Sequence, residues 1–133
     1  MTEWRYIKHN ISRADIEAFE EVAAISLPPA LCAFILAHNN GRPRPNRFDT
    51  ALAQGRLFDK LLSFNRNDLE NVFNTRETLA AQLPTQLIAL GMDPFGNYIC
   101  LDKHSLNVVF WLHETGAPEA TGKPWEQWLD TLY

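Results

Sequence analysis

The chain has 133 residues, 46% of them hydrophobic and 21% charged, which are the proportions of one folded domain and exclude a disordered segment. Twelve Lys and Arg against sixteen Asp and Glu give a net charge of −4, a balance that argues against a nucleic-acid partner. The longest run free of charged or strongly polar side chains, Leu27 to Ala37, is shorter than the ~18 residues of a membrane span and contains two prolines. The first ten residues lack a secretory apolar core, so no membrane partner and a cytoplasmic location are expected.

Trp4, Tyr6 and Ile7 alternate loosely, so residues 1–11 are expected to form an edge strand or arm on a single domain spanning 1–133. Ser12 and Asp15 suit a helix start, and Ile16, Phe19, Val22 and Ala23 line one face, with Glu17, Glu20 and Glu21 outside. Leu27-Pro28-Pro29 ends that helix and opens a second, whose Leu31, Phe34, Ile35 and His38 keep helical spacing up to Asn39-Asn40-Gly41. Arg42 to Asn46, with two prolines, reads as loop, and Leu57-Phe58 and Leu61 to Phe64 as strand. Asn67 or Asp68 is expected to cap a third helix carrying Leu69, Val72, Phe73, Ala80 and Leu83 as far as Pro84.

Leu87 to Leu90 and Tyr98 to Leu101 flank Asp93-Pro94-Phe95-Gly96-Asn97, where Pro presets φ and Gly accepts a positive one, so a β-hairpin is predicted. A second turn, Asp102 to Asn107, leads to a strand at Val108 to Leu112. Apolar residues of both parities imply that these strands are covered on both faces. Gly116 to Pro124 reads as loop, and Trp125, Trp128, Leu129 and Leu132 as a closing amphipathic helix. The expected class is α+β: a mainly antiparallel sheet with an N-terminal helix pair and a C-terminal helix packed against it.

Strong catalytic patterns are missing. No serine sits in a Gly-x-Ser-x-Gly frame, the six glycines are dispersed singly, and His113-Glu114 lacks the second histidine of a zinc helix. Cys32 and Cys100 lie in apolar runs and read as reduced core thiols. Asp93, Asp102 and Glu114 fall near strand ends, where they suit either acid/base or cation chemistry or the hydrogen bonding of their own turns. His38, His104 and His113 are candidate pH sensors, although His38 also fits the edge of a buried stripe. Arg42, Arg44 and Arg47 form a candidate patch for acids or RNA, or a merely solvated loop. Charge is uneven: residues 1–66 carry nine bases and seven acids, residues 67–133 three bases and nine acids. That imbalance either steers a basic partner or simply keeps the second half soluble.

Phe19-Glu20, Leu27-Pro28, Asn39-Asn40-Gly41, Leu61-Leu62, Asp93 to Asn97, Ile99 to Asp102, and Val108 to Trp111 with His113-Glu114 occur in this order before a terminal aromatic helix. In order and spacing the chain resembles the SUKH superfamily from Ser12 to Leu132. Two departures stand out. The family's Asn-Gly-Gly is Asn-Asn-Gly-Arg here, and Lys123-Pro124 replaces the serine before the last helix, leaving Thr121 or Gly122 to cap it. The resemblance implies a non-catalytic immunity protein, without metal or cofactor, that binds and silences a cognate protein toxin. Members related to a fungal regulator of cell-wall synthesis imply a scaffold or regulatory module instead; a small-ligand-binding protein is a third alternative. Acidic side chains on the hairpin and last strand (Asp93, Asp102, Glu114) and on the first helix (Glu17, Glu20, Glu21) are the expected contacts with a basic toxin, made by a monomer or weak homodimer.

Overall fold

The structure, a computed structural model, describes residues 2–133. In chain order the elements are β1 (Glu3–Arg5), α1 (Arg13–Ala23), α2 (Pro29–His38), β2 (Arg42–Arg44), β3 (Arg47–Phe48), β4 (Arg56–Leu57), β5 (Lys60–Leu61) and α3 (Val72–Thr78). There follow β6 (Leu87–Met92), β7 (Tyr98–Asp102), β8 (Asn107–Trp111), β9 (Pro118–Pro124) and α4 (Trp125–Leu129). The last five strands build one antiparallel sheet in the order β5-β6-β7-β8-β9, while β1-β2 and β3-β4 are small two-stranded sheets. With helices packed on the sheet, the class is α+β.

Cross-strand partners share a face of a sheet. Leu61, Gly91, Ile99, Phe110 and Glu119 form one such row. Aromatic rings cover it: Phe48 meets Phe110 at 5.4 Å and Trp128 at 5.2 Å, and Trp125 meets Trp128 at 5.1 Å. The two Phe48 pairs meet at 76°, an edge-to-face geometry that attracts beyond simple burial, and the tryptophan pair is tilted at 49°. Successive residues Ile99, Cys100 and Leu101 are at most 1% exposed, so the strand is covered on both faces. Gly91 is required by contact, because a Cβ there would stand 2.9 Å from the buried Phe58 ring.

Asp15 accepts from the Ser12 backbone N–H at 2.8 Å, which starts α1, and Ala24 stops it in the left-handed region at φ 54°. Ile16, Phe19 and Ala23 are buried, but Val22 is exposed, because the buried stripe is narrower than the apolar pattern. The N-terminal arm is held from both ends. Trp4 of β1 packs on Phe34 at 5.1 Å and Phe58 at 5.8 Å, and Lys8 and the Asn10 amide reach the Asp68 carboxylate at 3.2 and 3.0 Å.

Four elements differ from expectation. Arg42–Arg44 and Arg47–Phe48 are strands, because they find partners in β1 and β4 that the proline-rich run does not reveal. Residues 118–124, expected as loop, pair with β8 as strand β9. The third helix begins only at Val72, where the Asn71 side chain accepts from the Asn74 N–H at 2.9 Å, so Leu69 lies outside it and is 91% exposed. Helix α4 has no side-chain cap: Pro124 occupies its N-cap position, and the Thr121 hydroxyl donates to the Val108 carbonyl at 2.6 Å.

Candidate partner-binding surface

Folding redistributes the charge. Lys8 pairs with Asp68 at 3.2 Å, Arg56 with Glu119 at 2.7 Å, and Lys60 with Glu70, each a base of the first half meeting an acid of the second. Setting these pairs aside leaves six acids against three bases in residues 67–133 and seven against six in residues 1–66, so the imbalance of −6 against +2 becomes −3 against −1. Much of the asymmetry in the sequence is internal bonding, and the remaining acidity is spread over the whole molecule.

The six candidate carboxylates are not one patch. Asp93 follows β6 and is 3% exposed. Its Oδ1 accepts from the Phe95 and Asn97 N–H groups, and its Oδ2 from the Asn97 amide, all at 2.8 Å. Every oxygen it has is engaged in holding the turn. Asn97 in turn accepts from the His113 N–H at 3.0 Å, tying the β6–β7 hairpin tip to the turn after β8, where Glu114 stands exposed. No ion pair or side-chain hydrogen bond engages Glu114 among the described residues. Asp102 closes β7 at the opposite end of the sheet and accepts from the His104 N–H at 2.7 Å. On α1, Glu17 and Glu21 are exposed, whereas Glu20 accepts from the Leu27 N–H at 2.7 Å and braces the elbow into α2. Three carboxylates thus point outward without an ion pair, and three stabilise local backbone.

Phe95, at the hairpin tip, is 67% exposed. Sequence reasoning singled out the neighbouring Asp93 and passed over Phe95; the signal available was an aromatic residue between Pro and Gly in a turn.

Grooves open on the surface, and two of them bear on function. One of about 510 Å³ runs along the outer edge of β9, with Asp49, Thr50, Thr121, Lys123, Trp128 and Tyr133 among its walls. The Tyr133 hydroxyl donates to Asp49 at 2.6 Å, and this bond holds the Asp49 carboxyl below its usual range. The other, about 190 Å³ and mostly apolar, lies where Pro28 and Leu31 meet Leu101, Leu106 and Trp125. Each groove has one carboxylate in its lining, Asp49 in the first and Glu126 in the second. Among the described residues no three His, Cys, Asp or Glu side chains come together to hold a metal ion. Both thiols are buried and unpaired, and burial raises the pKa of each, which suppresses the reactive thiolate. His38 stacks on Phe34 with its Nδ1 2.9 Å from the Phe34 carbonyl, as expected of a side chain at the edge of a buried stripe.

The sequence matches the SMI1 / KNR4 family (SUKH-1) over residues 10–131. The chain belongs to the SUKH-1 family. The match takes in both helices of the elbow, the whole five-stranded sheet and α4, so the SUKH-1 assignment covers the elements that carry all six candidate carboxylates. Among curated proteins, none matches the chain. No helix of this SUKH-1 protein, among the described residues, is long and apolar enough to cross a membrane.

Proposed function

We propose that this SUKH-1 protein is an immunity protein that binds a basic cognate toxin in the cytoplasm and silences it by occupation, without chemistry of its own. The observation that carries this reading is the family match along residues 10–131. The outward carboxylates Glu17, Glu21 and Glu114 suit long-range attraction of a basic partner, which raises the association rate more than the affinity. Asp102 lies at the surface edge of its turn and is a further contact, while Asp93 and Glu20 act by holding the backbone beside the exposed acids.

The test is co-production with the toxin encoded by the adjacent reading frame. Growth restored by the wild-type chain, together with a one-to-one complex on gel filtration, supports the proposal. Several weak partners and no rescue favour a regulatory scaffold instead.

A further inference from the structure

The β6–β7 hairpin tip has an unusual construction for a solvent-exposed turn. Its hub is a carboxylate almost wholly removed from water, Asp93, which accepts three hydrogen bonds, each at 2.8 Å, from the two residues Phe95 and Asn97. Burying a carboxylate is costly unless such bonds compensate, and here they all fix one short stretch of backbone. Gly96 takes φ 88°, and the His113 ring lies 3.4 Å from where a Cβ would stand, closing the tip against the β8–β9 turn. Asn97 bonds both to Asp93 and to His113, so the two turns are one rigid unit. What this unit holds out to solvent is an aromatic ring, 67% exposed, on one turn and a carboxylate without an ion pair, Glu114, on the other.

We infer that Phe95 is the anchor of the partner interface, inserting into an apolar socket on a basic protein while Glu114 meets a cation on the socket's rim. This rests on the reading of the chain as a toxin-binding domain and names the contact that reading requires. A ring on a fixed backbone loses little entropy on docking, and aromatic anchors dominate interface energies. Of the other exposed apolar side chains, Val22 has the unpaired Glu21 beside it but no aromatic ring, Tyr6 follows Arg5, which pairs with Glu3, and the Tyr133 hydroxyl is bound to Asp49. Leu69, at 91% exposure, sits between Asp68 and Glu70, both already paired with lysines. Leu52, at 74%, lies next to Thr50 and Ala51, and the nearby Asp49 is bound by Tyr133. Phe95 joins an exposed aromatic ring, a backbone fixed by Asp93 and an unpaired acid on the turn bonded to its own, and that acid gives the socket its charge.

The experiment places photoreactive benzoylphenylalanine singly at positions 95, 114, 17, 52 and 69 of the full chain in the producing cell. Expected are adducts from 95 and 114 to the same basic protein. Phe95→Ala, introduced with the probe at 114, should cut that adduct at least about tenfold, and Phe95→Trp should keep it. With the captured partner purified, Phe95→Ala should weaken binding at least about 30-fold, and Leu69→Ala less than about threefold. Unchanged melting temperatures would confirm that these surface variants are folded. Adducts from other positions but not from 95, or a 114 adduct indifferent to Phe95→Ala, overturn the inference and leave the immunity reading standing. An adduct from 95 to an acidic protein or to a second copy of the chain also overturns it. No adduct from any position overturns both.

Discussion

Arg56 and Glu119 form a two-pronged ion pair, Nη2 to Oε2 at 2.7 Å and Nε to Oε1 at 3.0 Å, across the gap between β4 and β9. The Glu119 side chain is 5% exposed, and the Arg56 guanidinium lies 5.3 Å from the centre of the Phe110 ring. Thr50 adds a hydroxyl bond at 2.8 Å, and the Ala51 N–H reaches the Ala120 carbonyl at 2.9 Å. These contacts fasten the 49–56 loop to a strand whose own side chains are mostly exposed. Glu119→Ala leaves Arg56 half-buried without its acid, and a loss of about 3 kcal/mol in chemical denaturation is expected. Loss below about 0.5 kcal/mol, the scale of a surface substitution, would contradict this role.

The same pair sets one part of the acid stability. Burial alone would raise the Glu119 pKa, but the Arg56 and Thr50 hydrogen bonds and the Arg56 charge outweigh it and hold it below the ordinary 4.5. A depressed folded value means that the stabilisation is complete above the unfolded value and is lost as pH falls through the folded one. Glu119→Gln should therefore be less stable than wild type at neutral pH and lose less on acidification below pH 4.5. Parallel curves from neutral pH to pH 2 would count against it.

Asp68 does for the N-terminal arm what Glu119 does for β9. Burial opposes its charge, but bonds from Ser63, Asn10 and Lys8 prevail and hold it below the usual 3.8. Acidification through that folded value should release Lys8 and Asn10 before the sheet opens. Asp68→Asn should speed exchange of the Lys8 amide, which donates to the Asn39 carbonyl at 2.9 Å, by at least about tenfold at neutral pH, with β7 amides unaffected. Equal acceleration in both places would show global unfolding instead.

Much of the architecture was legible because local and long-range preferences agree. Leu87 to Leu90, Tyr98 to Leu101 and Val108 to Trp111 are apolar runs separated by turn residues, and they became three adjacent strands. Pro118 to Pro124 has neither alternation nor apolar content, and β9 exists because β8 offers it a ladder and Arg56 binds its one buried acid. Leu69 fits a helical period that the structure does not use, because Asn71 caps the helix after it. Among the carboxylates, Asp93 and Asp102 followed the backbone-bonding alternative that their turns allow. Net charge by halves overstates the asymmetry of the folded chain, because ion pairs join residues distant in sequence and composition is blind to that pairing.

Gly91 offers a separate check on the core. Alanine there would push a methyl against the Phe58 ring, itself enclosed and 0% exposed, so neither can yield cheaply. Gly91→Ala should cost about 1–3 kcal/mol, as overpacked cores do. The β6–β7 register shifts between Ala89 and Gly91, and a neutral effect on the melting temperature would mean that this irregularity relaxes freely.

At the hairpin tip, Asp93→Asn replaces one acceptor oxygen with an N–H₂ group facing the Asn97 amide, donor against donor. A loss of about 1–3 kcal/mol follows from leaving buried polar groups unpaired, with faster amide exchange at Phe95 and Asn97. Unaltered exchange at those two amides would remove Asp93 as the turn's organiser.

The decisive measurement is a titration of toxin activity with the purified chain, read as residual activity against molar ratio. An occluding antidote gives a linear fall to zero at one molecule per toxin, and Glu17→Lys, Glu21→Lys and Glu114→Lys together slow the onset while flattening its salt dependence. Complete inactivation at a small fraction of that ratio, or none at any ratio, would contradict the account.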